Sequence, residues 1–183
     1  MTALRGRGKA KRQPKHLIVI AKNQLGLRNL YRLISDSFLV HYKRYPIMPK
    51  SEIEKYREGL IIGSACEAGE LYTAVSQGKD WEELKRIASW YDFLEIQPIC
   101  NNLFLLQPDK RTGRPVASSI EELKDFNRTI LALGKELDKP VCATGDVHFL
   151  DPEEEVYRHI LLDTKGFEDC DKSLPIYFKT TDE

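Results

Sequence analysis

The sequence lacks a net charge, a long apolar run and a paired-cysteine motif, and each absence removes a class of function. Acidic and basic residues number 28 each, so no whole-chain field steers the molecule toward nucleic acid or a membrane surface, and any such attraction has to be local. No run approaches the ~20 consecutive apolar residues of a membrane span, and the start has no apolar stretch of the secretory kind. The four cysteines, Cys66, Cys100, Cys142 and Cys170, are scattered without a C-x-x-C pair. A disulfide framework is therefore not expected, and a cytoplasmic setting fits best. A G-x-S-x-G elbow, a phosphate-cradling G-x-x-x-x-G-K-[ST] and a dinucleotide fingerprint after the first strand are all missing, which argues against a serine hydrolase and a nucleotide-binding fold.

What is present is enough for one domain with a real core: 183 residues can fold without staples or a structural metal. Residues 1–14 carry Arg5, Arg7, Lys9, Lys11 and Arg12 with no apolar periodicity. They are expected to be a disordered tail or linker, with phosphate contact to DNA as a weaker alternative. The domain proper is expected over 15–183. Its strands are predicted at 17–21, 60–63, 93–97 and 141–144, short apolar runs of the kind buried on both faces.

Helices are predicted between them. Asn23 caps one whose stripe is Leu27, Leu30, Tyr31, Ile34 and Phe38; Ser51 with Glu54 boxes a second; Asp80 with Glu83 opens 81–91; Ser118 with Glu121 opens a helix lined by Leu123, Phe126, Ile130, Leu133 and Leu137. Asp151-Pro152-Glu153-Glu154 starts a last helix reaching 162. Residues 101–115 are polar and turn-rich and are expected as a surface excursion. Strands alternating with helices predict an α/β fold of parallel β-α units. Four strands are too few to close a barrel, so a barrel reading requires further strands, expected before residue 1.

Two loops carry the chemistry. Thr144-Gly145-Asp146-Val147-His148 follows a strand, where β-α folds keep their active groups. A carboxylate and an imidazole two residues apart can reach one ion if the chain is extended. Aspartate oxygen with imidazole nitrogen suits zinc, manganese or iron better than magnesium. The competing reading makes Asp146 a turn cap and lets His148 pack beside Phe149. In Gly63-Ser64-Ala65-Cys66-Glu67, Cys66 is either a thiolate ligand or a small buried hydrophobe. Glu95, inside an apolar strand, is either an inward group that needs a partner or a metal or an outward residue at a sheet end. His16 stands at the head of its strand, where strand-end placement gives it no role.

Taken in order, His16-Leu17-Ile18-Val19-Ile20-Ala21-Lys22-Asn23, Gly26-Leu27-Arg28-Asn29-Leu30, Tyr56-Arg57-Glu58-Gly59-Leu60, Gly63-Ser64-Ala65-Cys66, Phe93-Leu94-Glu95-Ile96-Gln97 and Ala143-Thr144-Gly145-Asp146-Val147-His148-Phe149-Leu150 resemble the PHP domain of bacterial replicative DNA polymerase III α subunits. The wording is closest to the PolC type, in which an exonuclease domain interrupts the PHP domain. The resemblance implies a partial PHP-type distorted (β/α)7 barrel, the portion after the exonuclease insertion, with its N-terminal strands missing. It implies His16, Cys66, Asp146 and His148 as ligands of a divalent-metal cluster for phosphate-ester chemistry; apart from the resemblance, Glu67 and Glu95 are candidate carboxylates behind them. The family's early ligands, an H-x-H pair and further His, Asp and Glu residues, have no counterpart here. The implied partners are the rest of the polymerase chain, exonuclease upstream and palm and thumb downstream, and DNA through the parent enzyme. Two alternatives stand beside this: a non-catalytic structural module with a vestigial site, and a free-standing PHP phosphoesterase.

Overall fold

The β-branched run at the start of the domain forms strand β1 (Ile18–Ala21), and the equally apolar Leu-Ile-Ile-Gly forms β2 (Leu60–Gly63). The two pair antiparallel, from Ile18↔Gly63 to Ala21↔Leu60. Strands β3 (Leu94–Ile96) and β4 (Val141–Ala143) pair in parallel, Leu94 opposite Val141 and Ile96 opposite Ala143. A parallel bridge between Gly63 and Phe93, with Ser64 N donating to Phe93 O at 3.3 Å, joins the two pairs in the order β1-β2-β3-β4. The computed structural model describes residues 14–109, 112–166 and 173–180. The basic run before residue 14 and Cys170 lie outside them, and the other three cysteines are free thiols.

The antiparallel first pair corrects the expectation of parallel units throughout. Helix α1 (Gln24–Leu39) leads away from the end of β1, and the stretch 40–58, with the short α2 (Lys50–Lys55), brings the chain back. Strand β2 therefore starts beside the end of β1, where Lys22 N donates to Gly59 O at 2.8 Å. Among the described residues β1 and β4 each have one strand neighbour, and the strands do not close into a barrel.

Helix α1 is also turned from its expected face. Its buried residues are Gly26, Asn29, Leu33 and Ser37, while Tyr31 and Phe38 are 61% and 56% exposed. The cause is a backbone contact: a Cβ on Gly26 would sit 1.8 Å from Gly59 O. Gly59 itself takes φ +76°, a conformation that costs little only without a side chain. Asn29 Nδ2 then donates to Glu58 O at 2.9 Å, fixing the helix's rotation.

The remaining helices are α3 (Glu70–Ser76), α4 (Trp81–Ala88), α5 (Ile120–Glu136) and α6 (Glu155–Thr164). Asp80 caps α4 by accepting from Glu83 N at 2.9 Å, as its spacing predicted. The cap of α5 is one residue later than expected: Ser119 accepts from Glu122 N, and the Glu122 carboxylate reaches back to Ser118 N and Oγ. Pro49 rather than Ser51 precedes α2, without a side-chain cap. The core face of α5 is Leu123, Phe126, Ile130 and Leu133, which pack with Leu71, Leu84 and Leu94. The surface excursion expected over 101–115 is corrected at its start, where a 3-10 helix, Ile99–Leu106, buries Asn101, Asn102 and Leu105. No helix among the described residues is long and apolar enough to cross a membrane.

Candidate metal centre

Because β1 runs against β2, its head lies at the same sheet edge as the tails of β2, β3 and β4. That places His16 with the strand-end loops although it precedes its strand. His16 Nδ1 lies 3.3 Å from Cys66 Sγ across fifty residues of sequence, and His16 N donates to Ala68 O at 3.2 Å. The loop holding Cys66 is tight: Gly69 N donates to Cys66 O at 2.8 Å, and a Cβ on Gly69 would come within 2.3 Å of Ser64 O. Ala65 sits at φ +60° and Asp146 at φ +53°, left-handed conformations that non-glycine residues pay to hold.

Both strained residues line one cleft of about 350 Å³, together with His16, Cys66, Glu95 and Gln97. Glu95 is 4% exposed. Its Oε1 accepts from Thr144 Oγ1 at 2.8 Å and Gln97 Nε2 at 3.4 Å, whereas its Oε2 is buried without a hydrogen-bond partner. Burial, with the charges of Asp146 and Glu67 added, holds the Glu95 carboxyl above the usual carboxylate range against its two hydrogen bonds. Burial, then the charge of Glu67 and more weakly that of Asp146, pushes the Cys66 thiol up to about 12. The cleft thus gathers a thiol, an imidazole and carboxylates with no Lys or Arg among the described residues that line it, an electrostatic demand that a divalent ion would meet.

The turn bearing Asp146 is held from outside the loop. Asn101 Nδ2 donates to Gly145 O at 2.9 Å, and Thr144 N donates to Ile96 O at 3.0 Å. Asn101, Thr144 and Gln97 are supporting residues that motif reading missed; the only available signal was a pair of asparagines inside an otherwise apolar stretch. His148 is placed differently. Its Nδ1 lies 2.7 Å from Asp146 O and 3.9 Å from Asp146 Oδ1, and its side chain lines a neighbouring hollow rather than the His16–Cys66 cleft. Hydrogen bonding at Nδ1 leaves Nε2 as the nitrogen free for an ion.

The donor chemistry fits zinc, manganese or iron better than magnesium. The geometry is only partly assembled: among the described residues no three His, Cys, Asp or Glu side chains converge closely enough to hold a metal ion. His16 and Cys66 touch, Asp146 and Glu95 share their cleft, and His148 stands apart.

The PHP domain family model matches residues 3–97. The chain is 56% identical over 168 residues to DNA polymerase III PolC-type of Clostridium perfringens, covering 92% of this chain and 11% of that protein. It is 51% identical over 168 residues to that of Caldanaerobacter subterraneus and 41% identical over 174 residues to that of Bacillus subtilis, covering 92% and 93% of this chain and 12% of each relative. The chain thus spans about a ninth to an eighth of the length of these relatives. Over this sequence, and by this model match, the chain belongs to the PHP domain family.

Proposed function

We propose that this chain is the portion of a PolC-type DNA polymerase III PHP domain that follows the exonuclease insertion, with 15–183 as domain and 1–14 as linker, working in the bacterial cytoplasm. In this reading His16, Cys66, Asp146 and His148 are metal ligands, Glu67 and Glu95 stand behind them, and the centre and its barrel are completed by another part of the polymerase. The 3.3 Å contact between His16 and Cys66 carries the proposal, because it joins two donors that the sequence separates. The exposed apolar side chains of α1 and of edge strand β1, among them Phe38 and Ile20, support packing against further polypeptide. Zinc, manganese or iron bound there would polarise a phosphate ester and activate water as the nucleophile. The chain's own residues would position that chemistry: Asn101 steadies the Asp146 turn, and Thr144 and Gln97 orient Glu95 so that one carboxylate oxygen stays free.

The test is ion stoichiometry by calorimetry for this chain and for the chain joined to the upstream segment of a PolC relative. Weak binding alone and tight binding of more than one ion after joining are expected. Tight multi-ion binding by this chain alone would refute the divided centre.

A second reading has its own support. The lack of a converged three-donor group among the described residues favours a structural module whose centre has decayed. It predicts that His148→Ala lowers the melting temperature of the joined protein while leaving ion binding unchanged.

A further inference from the structure

Past the end of α1 the chain builds a tip that lies outside both the core and the metal cleft. The helix closes at Val40, where Val40 N and His41 N donate to Asp36 O at 2.9 and 3.0 Å, and the chain turns back before Met48 and Tyr56 pack on the core. The turn has its own bonds: Lys43 N donates to Tyr45 O at 3.1 Å, and Tyr42 Oη donates to Arg44 O at 2.8 Å. Phe38 and Tyr42 stack with ring centroids 6.4 Å apart. Arg44 is held at φ +71°, a conformation glycine adopts more easily, and strain held by surrounding bonds points to a use for the side chain.

The surface of this tip is apolar and one-sided in charge. Leu39 and Val40 are 84% and 67% exposed, and Phe38, Tyr42 and Tyr45 are exposed beside them, a cluster that marks an interaction site on a folded protein. The chain as a whole is neutral, yet from Ser37 to Ser51 it has no acidic residue, while His41, Lys43, Arg44 and Lys50 fall in that stretch. The nearest acid upstream, Asp36, is half-buried. Lys50 is taken by Glu70; Lys43 and Arg44 have no ion pair among the described residues. Exposed aliphatic and aromatic side chains rimmed by an arginine and a lysine are the composition of a protein interface, and cations left without partners select an acidic one. Nucleic acid fits less well, because the two most exposed side chains are aliphatic and give a base nothing to stack on, and Phe38 and Tyr42 already stack on each other.

We infer that residues 38–45 are a docking site for an acidic segment of a partner protein, whose apolar side chains cover Leu39, Val40 and Tyr42 and whose carboxylates face Lys43 and Arg44. Arginine can hold a carboxylate through two parallel hydrogen bonds, which gives the contact direction as well as charge. The site includes none of His16, Cys66, Glu95, Asp146 or His148, so it stands or falls independently of the metal proposal.

The test screens a random dodecapeptide display library against the full 183-residue chain, measures the enriched peptides by fluorescence anisotropy and locates them by amide NMR. Enriched peptides should combine Asp or Glu with Leu, Phe or Trp, move the resonances of 38–45 and bind less tightly as salt rises. Lys43→Glu and, separately, Leu39→Ser should each weaken binding about tenfold or more; both side chains are exposed, so the fold is kept. Arg44→Gly separates function from structure: glycine relieves the left-handed backbone, so Tm should hold or rise while affinity falls about tenfold, a split that a purely structural arginine would not give. No enrichment, enriched peptides without an acidic bias, resonances moving elsewhere, or unchanged affinity in Lys43→Glu or Arg44→Gly would overturn the inference. Tighter binding of oligo(dT) or of phosphatidylglycerol vesicles than of any enriched peptide would overturn it in favour of a nucleic-acid or membrane contact. Self-association that Leu39→Ser abolishes would overturn it in favour of a contact between copies.

Discussion

Replacing Glu95 by glutamine separates stability from ion binding. The wild-type carboxylate is buried with Oε2 unpartnered and faces the charges of Asp146 and Glu67. A buried polar atom left unpaired costs about 1–3 kcal/mol. Glutamine keeps a carbonyl oxygen for Thr144 Oγ1 and removes the charge, while its amide nitrogen stays as unpaired as Oε2, so the ion-free variant should gain from the lost charge alone, about 1 kcal/mol or roughly 2–4 °C in Tm for a domain of this size. The pH dependence follows from the raised carboxyl. The folded state holds the Glu95 proton more tightly than the unfolded chain, so wild type loses stability as pH rises from about 4.3 through the raised folded value. The variant has no such proton. Its advantage should therefore be absent in acid and grow as pH rises through the raised folded value.

An added ion should reverse the trend. At a zinc or manganese concentration of about 100 Kd the wild type gains about 2.7 kcal/mol, whereas a variant binding tenfold more weakly gains about 1.4. The assay is urea unfolding at pH 4 and pH 7, with EDTA and with ion. A variant less stable than wild type in EDTA at pH 7, together with an unchanged ion-induced gain, would refute the assignment of Glu95 as a buried carboxylate awaiting a cation.

Gly26→Ala should cost about 3 kcal/mol or more, lowering Tm by roughly 6–12 °C, because its Cβ meets the Gly59 carbonyl; calorimetric melting checks this, and an unchanged Tm would contradict the close approach. Asn101→Ala should cost about 1–2 kcal/mol and also weaken ion binding, since it releases the Gly145 carbonyl beside Asp146. Urea melts combined with ion titration check it, and lost stability with unaltered affinity would mean that the turn does not position Asp146.

Much of the scaffold was legible locally. Asp80 and the leucine-rich face of α5 announce themselves through spacing, because capping and helical amphipathicity depend on residues within a few positions of one another. The face of α1 was not legible: the contact between Gly26 and Gly59 decides it, and a backbone approach across more than thirty residues leaves no periodic trace. Position alone gives His16 no role because the rule of active strand ends assumes parallel strands; β1 is antiparallel to β2, which brings its head to the edge where the other strands end. Residues 101–115 read as a surface excursion because they are polar and turn-rich, whereas Asn101 and Asn102 at their start are buried, and Asn101 serves the turn after β4. Asp146 and His148 looked equivalent in the D-x-H pair, but the left-handed conformation at Asp146 breaks the extended geometry that would aim both side chains the same way.

The central claim is that His16 and Cys66 are paired ligands of one cation. Cobalt(II) substitution tests it most directly, by following the near-ultraviolet thiolate-to-cobalt charge-transfer absorption in the chain joined to its upstream segment. The absorption should appear in wild type, vanish in Cys66→Ser and weaken or shift in His16→Gln. Its absence from wild type, or its survival in Cys66→Ser, would contradict the account.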